Sequence, residues 1–265
     1  MAFSVNTNTG AMAALQNLSA TNRGLETTQS RINTGLRVSG TKDDSASYTI
    51  AQKLRGDVGG LAAVTSSLSR AKSTVDVAVA GVEQISDLMN QMKSKVLEGS
   101  DAGLDSASKA QITADVSAIQ NQIKSIIKSS SFNGTNLLDS GGSGAIAALK
   151  SDVTSDTLNV AHRNLEADLG STLTSGVTMG DFATAESNMK SALSTLGSAA
   201  RQIDGQLSFT SKLSDVIESG IGNLVDADLA KESAKLQALQ VKQQLGLQAL
   251  SIANQAPQSI MSLFR

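Results

Sequence analysis

The residues in this chain that could do chemistry are few: one imidazole, His162, and two close carboxylate pairs, Asp43-Asp44 and Asp226-Ala227-Asp228. His162 falls in a stretch that reads as hairpin and loop, where an exposed, inert side chain is expected. Each acidic pair stands near a predicted helix start, where the positive end of the helix dipole favours negative charge. Both pairs therefore read as helix-terminal groups and not as acid/base machinery. Gly220-Ile221-Gly222 is a fragment of a dinucleotide fingerprint, but it lacks the third glycine and lies inside a helical pattern. No H-E-x-x-H, G-x-x-x-x-G-K-[ST] or G-x-S-x-G occurs, so the spacings that build a zinc site, a phosphate cradle or a nucleophile elbow are missing. Without Cys there is no disulfide or thiol chemistry either. The expectation is of no catalytic, cofactor-binding or metal-ligating residues.

The elements that would have to position such residues look unlike a compact enzyme. Aromatic residues make up 2% of the 265, with no Trp and a single Pro. Thick cores draw much of their buried area from aromatics; thin layers of Ala, Leu, Ile and Val between long helices suit this composition better, and one Pro leaves such helices unbroken. A net charge of −2 gives no electrostatic reason to expect nucleic acid. No run of about 18 apolar residues is present to span a membrane, and "MAFSVNTNTG" has neither the basic nor the apolar region of a secretory signal peptide.

Heptad spacing dominates the middle of the chain. Leu54, Leu61, Leu68, Val75, Val82, Met89 and Val96 recur every seven residues, accompanied three positions later by Val64, Ala71, Ala78, Ile85 and Met92. Two such rows sustained over five heptads are a coiled-coil seam. They predict a helix over 44–98, on the order of 80 Å long at 1.5 Å per residue. "EGSDAG" breaks it. Ser108-x-x-Gln111 has capping-box spacing, and Ile112, Val116, Ile119, Ile123 and Ile126 follow on one face of a second helix that folds back on the first. Asn133-Gly134 signals a turn. Alternation around Leu158 and Val160 suggests a short strand or hairpin. Asp181 is the expected N-cap of a third long helix, whose row runs Phe182, Met189, Leu196, Ile203, Thr210, Ile217 and Leu224.

Both ends carry a further stripe. At the N-terminus it is Leu15, Leu18, Leu25, Ile32 and Leu36, with polar Asn22 and Gln29 at positions the pattern would fill. At the C-terminus it is Leu229, Leu236, Leu239, Leu247, Leu250 and Ala253, to which Pro257, Leu263 and Phe264 are added as assembly candidates. Helices of this length need a partner for the stripe, since propensity alone rarely holds them in water. Pairing the first helix with the last still leaves apolar surface open, and open patches of that size mark interaction sites. The expected fold is mainly α: a long antiparallel helical coiled-coil rod with paired terminal helices and a small β-hairpin or loop insertion. Its seam runs through Leu61, Leu68, Val75, Val82, Ile85, Met89, Ile112, Val116, Ile119, Ile123, Leu196 and Ile203.

The ends also resemble a known family. "SRINTGLRVSGTKDDSASYTIAQKLRGDVGGL" near the N-terminus, "FNGTNLLD" after the second helix, and the closing "DADLAKESAKLQALQVKQQLGLQALSIANQAPQSIMSLFR" are similar to bacterial flagellin. The resemblance covers roughly 1–140 and 180–265. It implies a filament subunit that self-assembles for swimming motility, with 1–42 and 224–265 as paired helices of an inner tube. Residues 43–139 and 181–223 would form the rod of an outer tube, with 140–180 as a short insertion too small for the large outer domains of longer members.

It further implies terminal segments disordered before assembly and export as an unfolded chain through the flagellar type III apparatus to an extracellular filament. Export chaperone, filament cap and hook-associated junction proteins would be the partners. A hook–filament junction protein and a non-polymerising helical adaptor are the competing readings; the match of Ala253-Asn254-Gln255-Ala256-Pro257-Gln258 to filament flagellins weighs against the first. An animal innate immune receptor for flagellin reads a segment patterned Gln-Arg-Val-Arg-Glu-Leu in this family. The matching stretch here, 90–96, has an Arg and the Glu replaced, which implies weak or absent activation.

Overall fold

The computed structural model describes residues 7–139, 141, 145–152, 156–174 and 176–263; of residue 171 and of 256–263 it describes the backbone alone. The protein is mainly helical, with α1 at Thr9–Thr34, α2 at Ser45–Gly99, α3 at Ser106–Ser129, a short α4 at Leu165–Leu169, α5 at Met179–Val225 and α6 at Leu229–Leu263. Two strand pairs interrupt them, β1 (Ser131–Phe132) with β2 (Thr135–Asn136) and β3 (Ile146–Leu149) with β4 (Thr157–Val160), both antiparallel. The described chain forms two compact units, 1–56 with 217–265, and 57–216. Both boundaries fall inside helices, α2 and α5.

In the middle unit the two seven-residue rows of α2 are buried together. Leu61, Leu68, Val75, Val82 and Met89 form one, and Val64, Ala71, Ala78, Ile85 and Met92 the other. All of these but Leu61 share one core with Ile112, Val116, Ile123 and Ile127 of α3 and Phe182, Ala185, Met189, Ala192, Leu196 and Ile203 of α5, with Ile119 half-buried at the edge. Beside the rows, Gly81 makes room for the chain that leaves α3: a Cβ there would run into Ser130 Oγ and lie 3.1 Å from Leu138 Cδ1.

Two helix starts differ from the sequence expectation. α3 begins at Ser106, and its cap is Asp105, whose side chain accepts from Ser108 N at 3.2 Å; Ser108 is already inside the first turn. α5 begins at Met179, ahead of Asp181. Asp181 instead takes hydrogen bonds from Thr178 N and Oγ1, both at 2.8 Å, as the acidic residue of a capping box does when it reaches back to the cap.

The turn signals are local and behave locally. Asn133 and Gly134 have φ of 48° and 79°, the left-handed pair that a two-residue hairpin needs and that Asn-Gly tolerates best. The alternating stretch becomes β4, paired with β3 from Ile146↔Val160 to Leu149↔Thr157. It turns Val160 and Ala148 into the core of the unit.

Candidate assembly interface

The terminal unit is built around two helices that run antiparallel. Their near ends are clasped by backbone. Gly35 closes α1 in the left-handed conformation, which a glycine adopts without penalty. The chain beyond it then pairs with the end of α5 and the link into α6: Arg37 N donates to Val225 O at 2.7 Å, Ala227 N to Gly35 O at 2.9 Å, and Leu36 bridges Asp226. Leu36 is therefore a residue of this clasp and not the last member of the α1 stripe, because the helix has already ended.

From the clasp outward, α6 turns Glu232, Leu236, Leu239, Gln243, Gly246, Leu250 and Ala253 toward α1. The spacing of 4, 3, 4, 3, 4, 3 is a single heptad seam. α1 answers with Ala11, Ala14, Leu18, Thr21, Leu25, Thr28 and Ile32. Close approach shows at Gly24, where a Cβ would stand 3.5 Å from Leu239, and at Gly246, where it would stand 3.3 Å from Leu18. Polar groups are inside this seam. Arg31 Nη1 lies 3.0 Å from Glu232 Oε1, Gln243 Nε2 donates to Asn22 Oδ1 at 2.9 Å, and Thr28 Oγ1 is buried without a hydrogen-bond partner. A seam of this kind contributes less per layer than an aliphatic one. Most of its members remain half-exposed, since two helices cover only one side of each other.

The stripe read from the sequence is thereby divided. Leu18, Leu25, Ile32, Leu236, Leu239 and Leu250 face the seam within the chain. Leu15 is 57% exposed, Leu229 50% and Leu247 54%. Pro257 and Leu263 lie on α6, but their side chains, like Phe264 altogether, are outside the described residues.

What the sequence reading missed is a second apolar row on α6. Ala234, Ala238, Val241, Leu245 and Ile252 lie roughly opposite the seam at helical spacing, and the three large ones are 55%, 57% and 70% exposed. The signal is present at i, i+4 and i+11, with polar Gln248 at i+7, and a reading that follows one stripe passes over it.

The groups that could have made a chemical site are accounted for otherwise. Asp44 caps α2 through Ala46 N and Ser47 N, and Asp228 caps α6 through Ala230 N and Lys231 N. Hydrogen bonds from the Ser47 side chain and backbone hold the Asp44 carboxyl below its ordinary range, and those from Ser39 do the same for Asp43. His162, expected to be exposed, is half-buried with Nε2 2.6 Å from Asp139 O. No group of three or more His, Cys, Asp or Glu able to hold a metal ion is found among the described residues, and none of the described helices is long and apolar enough to cross a membrane. A groove of about 430 Å³ in the middle unit is lined by apolar Val96, Ile112, Val116, Val177 and Met179 and by polar Ser100, Lys109, Thr113, Ser117, Gln120 and Thr178, with no His, Cys, Asp or Glu among its lining residues.

Comparison with known proteins bears on this geometry. Residues 5–143 match the bacterial flagellin N-terminal helical region, and residues 179–264 the C-terminal helical region. The chain is 43% identical to flagellin FljK of Caulobacter vibrioides over 99% of its own length and 98% of that protein's. It is 36% identical to a flagellin of Brucella melitensis over 99% of both. A crystal structure of Bacillus cereus flagellin aligns with 63% of this chain and 93% of its own, at 18% identity and a TM-score of 0.37, too loose a superposition to add to the family match.

Proposed function

This chain belongs to the bacterial flagellin family and is a structural subunit of the flagellar filament; on that premise we propose that copies meet through the outward face of α6. The observation that carries the proposal is the row Val241, Leu245 and Ile252, large aliphatic side chains left more than half exposed among the described residues. The partner is a second copy, because a filament subunit polymerises with itself. Leu15 and Met12 of α1 are also exposed.

Within this reading, 1–42 and 224–265 supply the inner tube of the filament. Residues 43–139 and 181–223 supply the outer tube, with 140–180 as its insertion. The polar, half-exposed α1–α6 seam suits a pair that is marginal in an isolated copy and is completed by its neighbours. Its loose state suits passage through the type III export apparatus and a chaperone that shields the aliphatic row. The filament cap and the hook-associated junction proteins would meet the same terminal helices at the two ends of the filament.

Seeding purified chain with filament fragments and following growth by electron microscopy tests the proposal. Normal growth by a Val241→Asp variant whose circular dichroism matches the parent would overturn it.

A further inference from the structure

Pro257 lies inside α6, six residues before its end. Proline has no N–H, so it cannot donate to the carbonyl four residues earlier, and that carbonyl belongs to Ala253. The structure shows what takes the vacant place: Asn8 Nδ2 donates to Ala253 O at 2.7 Å. The same side chain works on its own helix as well, where Oδ1 accepts from Ala11 N at 3.0 Å as the N-cap of α1. One amide thus satisfies an orphan donor at the start of α1 and an orphan acceptor within α6. It joins the two helices at the end farthest from the backbone clasp around Gly35 and Ala227.

We propose that Asn8 and Pro257 act together as a far-end lock for the terminal helix pair, Pro257 by leaving the Ala253 carbonyl open and Asn8 by filling it. The clasp sets the pairing at one end through backbone hydrogen bonds. With a polar, half-exposed seam between, the other end is free to fray unless something specific closes it. An apolar contact there would be satisfied by many neighbours, whereas a two-point amide fits one place. Asn is the residue type required. Asp caps a helix equally well but has no donor for a carbonyl, and Ser can cap but is too short to span to the second helix.

The experiment uses the full chain and the fact that it contains no Cys. A Cβ added at Gly10 would lie 4.0 Å from Ala253 Cβ, inside the span a disulfide accepts. The rate at which a Gly10→Cys, Ala253→Cys chain forms its intrachain disulfide therefore reports closure of the far end, and non-reducing electrophoresis separates it from crosslinks between copies. Asn8→Asp should slow that rate about tenfold, the effect of leaving one part-buried acceptor unpaired, and Asn8→Ser should do so to a similar degree.

In a Pro257→Ala background residue 257 regains its N–H, Ala253 O is satisfied within α6, and Asn8→Asp should lose most of its effect. If Asn8→Asp leaves the rate unchanged, Asn8 is a cap and nothing more, and the lock is wrong. An equal slowing with and without Pro257 would also overturn it. The outward α6 face plays no part in this readout, so filament growth and far-end closure fail separately.

Discussion

Replacing Leu245 on the outward row of α6 should separate assembly from folding. Leu245 is 57% exposed, and covering the remainder contributes about 1–1.5 kcal/mol per copy if full burial of a leucine contributes about 2. Leu245→Ala gives up most of that and should raise the critical concentration for seeded growth roughly fivefold. Leu245→Asp places a carboxylate where a neighbour would bury it unpaired, at a cost of several kcal/mol, which at 1.4 kcal/mol per decade is about a hundredfold or more.

Neither change removes much packing within the chain, so the thermal transition should shift by no more than about 0.5 kcal/mol equivalent. The assay is sedimentation of filaments from a concentration series, with unfolding of the same preparations followed by circular dichroism. A critical concentration for Leu245→Asp equal to the parent's would refute the reasoning. Parallel losses of stability and growth would mean that Leu245 packs inside the copy and is not an interface residue.

Other outcomes follow from the same geometry. Ile85 is fully buried in the middle unit, so Ile85→Ala should lower thermal stability by about 2–4 kcal/mol, while Leu250→Ala on the thin terminal seam leaves the main transition in place. Gly205 has open space around it whereas Gly81 meets Ser130 and Leu138; Gly205→Ala should stabilise by about 0.5–1 kcal/mol and Gly81→Ala should destabilise by about 1–3 kcal/mol, read in the same melts. Hydrogen bonds from the Ser108 side chain and backbone hold the Asp105 carboxyl below its ordinary range, so its stabilisation of α3 is present above the unfolded value of about 3.9 and is lost as pH falls through the folded one. Asp105→Asn keeps a capping side chain and should flatten that acid limb in urea unfolding at pH 2 to 5. In the 90–96 stretch Met92 is buried, and Lys95 is engaged 3.1 Å from Glu98 and 3.7 Å from Asp115. With lysines lacking the planar fork of an arginine, purified monomer should activate the flagellin receptor weakly in a reporter-cell titration, and activation at the level of a full-pattern flagellin would contradict this.

How far the sequence reveals this molecule depends on how many partners each helix has. α2 has one core on one side, so its two rows from Leu61 to Met92 are legible as a seam and all ten of their side chains are buried. Hairpin turns are legible for a related reason: Asn133-Gly134 specifies its own backbone without reference to anything distant. Helix starts are harder, because Asp105 and Ser108, or Thr178 and Asp181, both carry capping chemistry, and which of each pair sits at the boundary depends on the loop arriving there.

The terminal helices are the least legible, since α6 carries two apolar rows. Its aliphatic residues at 236, 239 and 250 belong to α1, while those at 241, 245 and 252 face outward. A linear list of aliphatic residues contains both sets with no mark of the difference. The polar positions carry the mark. Asn22 looks like a gap in the α1 stripe, yet it meets Gln243 across the seam, and Glu232 is buried because Arg31 is there to receive it. A polar residue on an apolar face is costly unless a partner is fixed opposite, so these residues identify the face turned to a partner the chain itself supplies. On the outward row the polar position is Gln248, between Leu245 and Ile252, and it is exposed, as a residue with no such commitment can be; that is the row proposed for contact with another copy.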